Sequence, residues 1–193
     1  MSFSESPRLR TDDKKPPYRF TSERLGYRPW TDNDYDDLYR LCSDERVMQY
    51  FPGTLSPEET AAFLQRLQRA YQLHGYCYFA VERLANRAFI GFIGLAYQTY
   101  DMHFAPAVDI GWRLLPEYWG RGYATEGAER CKRFAFEELQ LEQLIATTTH
   151  NNEPSIRVME RIGMSFREEF IHPNLDTGDA LQPCLLYDLR RVV

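Results

Sequence analysis

Apolar side chains recur at three- and four-residue spacing in some stretches and at every second residue in others. The first spacing predicts amphipathic helices and the second predicts half-buried strands. Thr31 reads as an N-cap with Asp32 and Asp34 in the first turn, where negative charge is favoured. Tyr35, Leu38, Leu41 and Cys42 then form one apolar stripe. A short helical turn over 44–49 ends at Phe51-Pro52-Gly53. Ser56-Pro57-Glu58-Glu59 is an S-x-x-E capping box with proline at the first helical position. The helix it opens buries Phe63, Leu64, Leu67 and Tyr71 and stops near His74-Gly75.

Strand patterns run from Arg24 to Pro29, Tyr76 to Glu82, Ala88 to Tyr97 and Ala107 to Leu114. In the last of these Val108, Ile110, Trp112 and Leu114 fall on one side, and Asp109, Gly111 and Arg113 on the other. Hairpin-like links join the runs from Tyr76 onward, so antiparallel neighbours are expected. The order then changes to strand, glycine turn, helix, strand, helix. Ala124, Ala128, Cys131 and Ala135 mark the first of these helices, and Leu144 to Thr149 is a β-branched strand. Asn152-Glu153-Pro154-Ser155 opens the second helix, which Gly163 closes as an αL cap. Strands near Met164 to Ile171 and Leu181 to Leu189 end the chain. The sum is a single mixed α/β (α+β) domain over 18–193, with a mostly antiparallel sheet of about seven strands flanked by helices. Residues 1–17, polar and punctuated by proline, read as a mobile tail.

Composition narrows the function classes. The 193 residues are 44% hydrophobic and 26% charged, as in ordinary globular proteins. A net charge of -5 argues against a nucleic-acid binder, whose footprint is basic. No apolar run is long enough for a membrane helix. The N-terminus lacks the apolar core of a secretory leader, so a cytoplasmic protein is expected. Cys42, Cys77, Cys131 and Cys184 match no metal or redox spacing and read as buried, reduced thiols, with no metal expected.

Two local features carry candidate chemistry. Gly120-Arg121-Gly122-Tyr123-Ala124-Thr125 joins a strand to a helix. Glycines there permit positive φ, and free amides at a helix start attract anions such as a pyrophosphate. On glycine spacing alone, a plain helix-starting turn is the stronger alternative. The run is neither a Walker A loop nor a dinucleotide fingerprint, since the lysine of one and the third glycine of the other are missing. Asn152 and Ser155 follow a strand directly; a simple cap is again the stronger local reading, but both side chains suit an amide-bearing, sulfur-ended ligand.

Taken together and in order, the segments resemble a known family. Val108-Asp109-Ile110-Gly111-Trp112-Arg113-Leu114 followed by Pro116-Glu117-Tyr118-Trp119-Gly120-Arg121-Gly122-Tyr123-Ala124-Thr125-Glu126 resembles the acetyl-CoA motif of the GNAT N-acetyltransferases. Residues Thr149 to Met164 resemble the next motif of that superfamily. With Arg24 to Trp30, the likeness is to the branch of ribosomal-protein alanine and serine N-acetyltransferases.

The resemblance implies acetyl-CoA as cosubstrate and an amine acceptor, either a small molecule or a protein N-terminus. A homodimer is compatible with it. It implies that amides from Gly120 to Thr125 hold the diphosphate and that Trp112, Arg113 and Leu114 pair with the pantetheine arm as an added strand. The arm fills a gap between two splayed strands, and Asn152 holds it. The amine attacks the thioester directly through a tetrahedral intermediate, with a strand amide near Arg113 or Leu114 as oxyanion donor. The tyrosine that often serves as acid is Met159 here, so Ser155 is the substitute. Asp109 is the candidate base, against a plain strand carboxylate. His103 and His150 read more simply as surface residues than as relays, and Trp30 and Trp119 as packing residues. The missing tyrosine keeps open an alternative, a CoA-binding regulatory or inactive homologue.

Overall fold

The computed structural model describes residues 18–173 and 180–191, so the tail reading for 1–17 lies outside the described residues. In chain order the elements are β1 (Phe20–Thr21), β2 (Leu25–Arg28), α1 (Tyr35–Cys42), α2 (Glu45–Met48), α3 (Pro57–His74), β3 (Tyr78–Arg83), β4 (Phe89–Gln98) and β5 (Ala107–Leu114). They continue with α4 (Tyr123–Arg133), β6 (Gln143–Thr149), α5 (Glu153–Arg161), β7 (Ser165–Ile171) and β8 (Pro183–Arg190). One eight-stranded sheet runs β1-β2-β3-β4-β5-β6-β8-β7. Seven strands match the sequence reading; the eighth is β1, two residues too short to leave a periodic signal.

Capping explains where the helices begin and end. Ser56 and Glu59 form the reciprocal box that opens α3, and Gly75 closes it in the left-handed region with φ 73°. The helix begun by α4 continues as a π-turn over Phe134–Glu138, which no periodic signal announced. Ala128, Cys131, Phe134 and Ala135 of this helix are fully buried. The four cysteines are buried and free.

Helices cover both faces of the sheet. On β4, Phe92 meets Phe63 of α3 with ring centroids 5.9 Å apart. Its neighbour Ile93 lies against Gly127 of α4, where an added Cβ would come within 2.2 Å of Cδ1. Consecutive strand residues point to opposite faces, so α3 and α4 lie on opposite sides. This is why β4 reads as an unbroken apolar run, whereas an antiparallel sheet with one wet face would alternate. The largest fully buried side chains include Tyr27, Phe79, Phe134, Leu38 and Ile90. Among the described residues no helix is long and apolar enough to cross a membrane.

All pairings are antiparallel except that of β5 with β6, which is parallel and confined to one register pair, Asp109 with Ile145. Beyond it the two strands part. The sheet therefore has a slot near its centre, opening toward Leu114 and Thr149.

Candidate active site

The slot continues into a cavity of about 530 Å³. Trp112, Arg113 and Leu114 of β5 form one wall and Asn152, Ser155 and Val158 of α5 another. The glycine turn and Phe51 complete the lining.

The glycine turn is built from backbone. Gly120 and Gly122 have φ of 70° and 77°, a region that L side chains avoid. Gly122 is the N-cap of α4 and supplies no capping side chain. The first helical bond runs from Glu126 N–H to the Gly122 carbonyl at 3.0 Å, so the amides of Tyr123, Ala124 and Thr125 lie ahead of the ladder. With the helix dipole they form an anion cradle at the cavity wall. The first-turn carboxylate does not oppose it. Glu126 accepts from Ser22 Oγ (2.7 Å), Arg24 N–H (2.8 Å) and Arg24 Nε (2.6 Å), which tie it to the β1–β2 link.

Leu115 N–H donates to the Ile90 carbonyl at 2.9 Å. By strand alternation Arg113 turns its amide toward β4, and Trp112 and Leu114 turn theirs to the open edge. The Leu114 carbonyl accepts from the Trp119 indole at 2.7 Å, which fastens the turn to β5. Trp119 remains 44% exposed and lines the cavity, whereas Trp30 is a packing residue donating to the Tyr78 carbonyl.

Asp109 sits where the strands separate. Its carboxylate accepts from the Tyr78 hydroxyl, and the Gln98 side chain and Thr147 amide lie near enough to favour its charged form; neither Asp109 nor Tyr78 lines the cavity. Thr147 lies two residues past Ile145, beyond the single β5–β6 pair. Burial pushes the Asp109 carboxyl up to about 6, against the opposing pull of its three donors. Burial and the adjacent carboxylate hold the Tyr78 phenol well above its ordinary value. Tyr78 stacks on Phe92 at 5.3 Å, and Gly111 leaves room for its ring: an added Cβ there would lie 3.0 Å from the ring. Sequence reading missed Tyr78. Its partner stands thirty-one residues away, and only a strand register could have joined them.

Asn152 is buried and lines the cavity, and it also performs the capping role. Its side-chain carbonyl accepts from Ser155 N–H at 3.3 Å and its amide donates to Thr148 Oγ1 at 2.9 Å. Ser155 lines the cavity, and no hydrogen bond of its Oγ is found among the described residues. Met159 is buried. His103 is exposed and bonds Glu168 at 2.8 Å, and His150 is exposed. Neither lines the cavity.

Comparison with known proteins agrees with this geometry. Residues 24–165 match the model of the acetyltransferase (GNAT) domain. The chain is 32% identical over 160 residues to the uncharacterized N-acetyltransferase YnaD of Bacillus subtilis, covering 82% of this chain and 89% of that protein. It is 26% identical over 165 residues to the spermidine N(1)-acetyltransferase of Escherichia coli K12, covering 82% and 83%. Its fold superimposes on the crystal structure of a GNAT-family acetyltransferase from Bacillus anthracis with a TM-score of 0.72 at 28% identity, covering 88% and 96%.

Proposed function

Because the chain belongs to the GNAT acetyltransferase family and is an acetyl-CoA-dependent acyltransferase, we propose that it acetylates a primary amine, and an α-amine in preference to a lysine side chain. Acetyl-CoA supplies the activated acetyl thioester. The amides of Gly120 to Thr125 hold its diphosphate. The open edge of Trp112 and Leu114 pairs with its pantetheine arm, and Asn152 faces the same arm. The single observation that carries this reading is the uncapped α4 turn opening onto a slot where β5 and β6 share only one pair.

The slot passes through the sheet, with the cradle on the α4 face and Asp109, Tyr78 and Arg113 on the α3 face. Cofactor and acceptor therefore approach from opposite faces. Leu114 N–H, on the open edge, is the donor that meets the developing oxyanion. Tyr78 and Asp109 form the proton path: the amine proton passes to the phenol oxygen as the phenol proton passes to the carboxylate. Ser155 Oγ protonates or steadies the departing thiolate.

Energetics favour the α-amine. Its pKa is about 7.7–8.0 against about 10.4 for lysine, so forming the neutral amine at pH 7 costs about 1 kcal/mol against about 4.6. A carboxylate that titrates near 6 is matched to the first task. The test is thiol release from acetyl-CoA with peptides whose N-terminus or lysine is blocked, beside CoA-induced stabilisation in thermal melts. Faster turnover of free N-termini is expected, and lysine as the best acceptor would overturn the reading. Binding of CoA without thiol release for any amine would favour a regulatory homologue.

A further inference from the structure

Arg113 carries a charge that the transfer chemistry does not use. Its guanidinium lies 3.9 Å from the centroid of the Phe51 ring and 5.1 Å from that of Phe92. Its one hydrogen bond among the described residues runs from Nη1 to Cys42 Sγ at 3.3 Å, and sulfur is a weak acceptor. Nε is buried with no partner. No carboxylate pairs with it among the described residues. Such an arrangement is costly, because a buried guanidinium ordinarily finds a carboxylate or a run of carbonyl oxygens.

The surroundings point the same way. The chain as a whole is acidic at -5, yet the cavity is lined by Arg46, Arg113, Arg157 and Arg161 and by no aspartate or glutamate. Arg46 is paired with Asp44 at 2.5 Å and Arg157 with Glu153 at 2.9 Å. Arg157 and Arg161 belong to α5, which packs beside α4 on the face of the diphosphate cradle. The anionic end of the cofactor accounts for them. Arg113 points to the other face, over Phe92, with the sheet between it and the cradle. Arg113 lines the same cavity as the cradle, but its guanidinium is turned to the α3 face, the one assigned above to the acceptor.

Resting on the acetyltransferase reading above, we propose that Arg113 receives a carboxylate of the acceptor. The substrates of this site are then amines that carry a carboxylate in the same molecule, amino acids or short peptides, and polyamines are excluded. Guanidinium and carboxylate match in a two-bond geometry, and the Phe51 ring fixes the plane of the fork. The bound carboxylate anchors the molecule on the α3 face and leaves its amine to reach Tyr78 and the slot. A polyamine would bring a second ammonium toward an uncompensated cation.

The experiment uses matched sets: amino acids, their carboxamides and the corresponding decarboxylated amines, with spermidine alongside. Thiol release from acetyl-CoA is measured for the wild type, Arg113→Gln and Arg113→Lys. With kcat/KM referred to the neutral-amine fraction of each acceptor, so that differences in amine pKa do not enter, the acid is expected to exceed its carboxamide by about tenfold or more in the wild type. That ratio should fall to near one in Arg113→Gln and be partly kept in Arg113→Lys, with CoA affinity unchanged in both. Equal use of acids and carboxamides by the wild type, spermidine as the best acceptor, or an equal loss on acids and carboxamides in Arg113→Gln would each overturn the proposal. Should no amine release thiol, thermal melts of the CoA complex separate the two claims. Stabilisation by acids over carboxamides that Arg113→Gln abolishes would keep the carboxylate site and reject transfer. No such difference would reject the carboxylate site as well.

Discussion

In the proposed function the two faces of the slot recognise their ligands by different means. On the α4 face the binding groups would be main-chain amides, set by two glycines at positive φ. On the α3 face the groups are the side chains Asp109, Tyr78 and Arg113, brought together from β3 and β5, with Phe51 over Arg113. A main-chain site is set by one short run of sequence. A side-chain site is set by the register of several strands. Variants on the first face should act through CoA affinity, and variants on the second through turnover with CoA affinity unmoved.

The largest effect is expected from Asp109→Asn, which removes the proton acceptor and keeps an oxygen for the Thr147 amide. General-base loss corresponds to about 10²–10⁴ in turnover. The wild-type kcat/KM should rise through an acid limb near pH 6, where the buried carboxyl ionises, and the variant should lack that limb. A stability signature accompanies it. The folded-state pKa is raised from 3.8 to about 6, so the neutral acid stabilises the fold below the unfolded value. That contribution is lost as pH rises through about 6. Urea titrations should therefore show the variant gaining on the wild type by about 3 kcal/mol between about pH 4 and pH 7. A fall in CoA affinity as large as the fall in turnover would break the division between the two faces.

Gly122→Val tests the opposite face. The space around a Cβ there is open, with only Arg24 Nη2 at 3.6 Å, so the penalty is conformational and not steric crowding. A β-branched residue at φ 77° costs about 2–3 kcal/mol or moves the turn. CoA affinity measured by calorimetry should drop by about a hundredfold. Unchanged affinity would mean that the amides ahead of the α4 ladder do not hold the diphosphate.

The same division explains how much was legible in the sequence. Gly120 to Thr125 and the Asn152-Ser155 helix start are each contiguous, so the order of motifs and their family resemblance could mark them; all of the turn but Arg121 lines the cavity, as do Asn152 and Ser155. Capping signals set α3 at both ends for the same reason. Asp109 was visible as a strand carboxylate, but its burial against the Tyr78 hydroxyl depends on a strand thirty-one residues earlier. Tyr78 carries no local mark, and Phe51 stood out only as part of the breaker Phe51-Pro52-Gly53. The π-turn after Arg133 and the two-residue β1 fall below any periodic signal, since tertiary packing and not propensity holds them.

The smallest effect belongs to Gly111→Ala, and it tests whether the α3 face is set by packing alone. Gly111 stands between Asp109 and Arg113 on one side of β5, and the ring of Tyr78 crosses it. An added methyl would lie 3.0 Å from Cε1 and 3.2 Å from Cζ and the hydroxyl, tighter than ordinary contact. The backbone there is not in the left-handed region, so the substitution strains nothing but the ring. The ring must lift by a few tenths of an ångström, at a cost of about 1 kcal/mol. Lifting it lengthens the hydrogen bond to Asp109 and weakens the donor that holds this carboxyl down. The acid limb of kcat/KM should then move upward in pH, with turnover at neutral pH reduced several-fold and CoA affinity unchanged. A limb that stays in place while turnover falls would mean that Tyr78 positions the acceptor without taking part in the proton path.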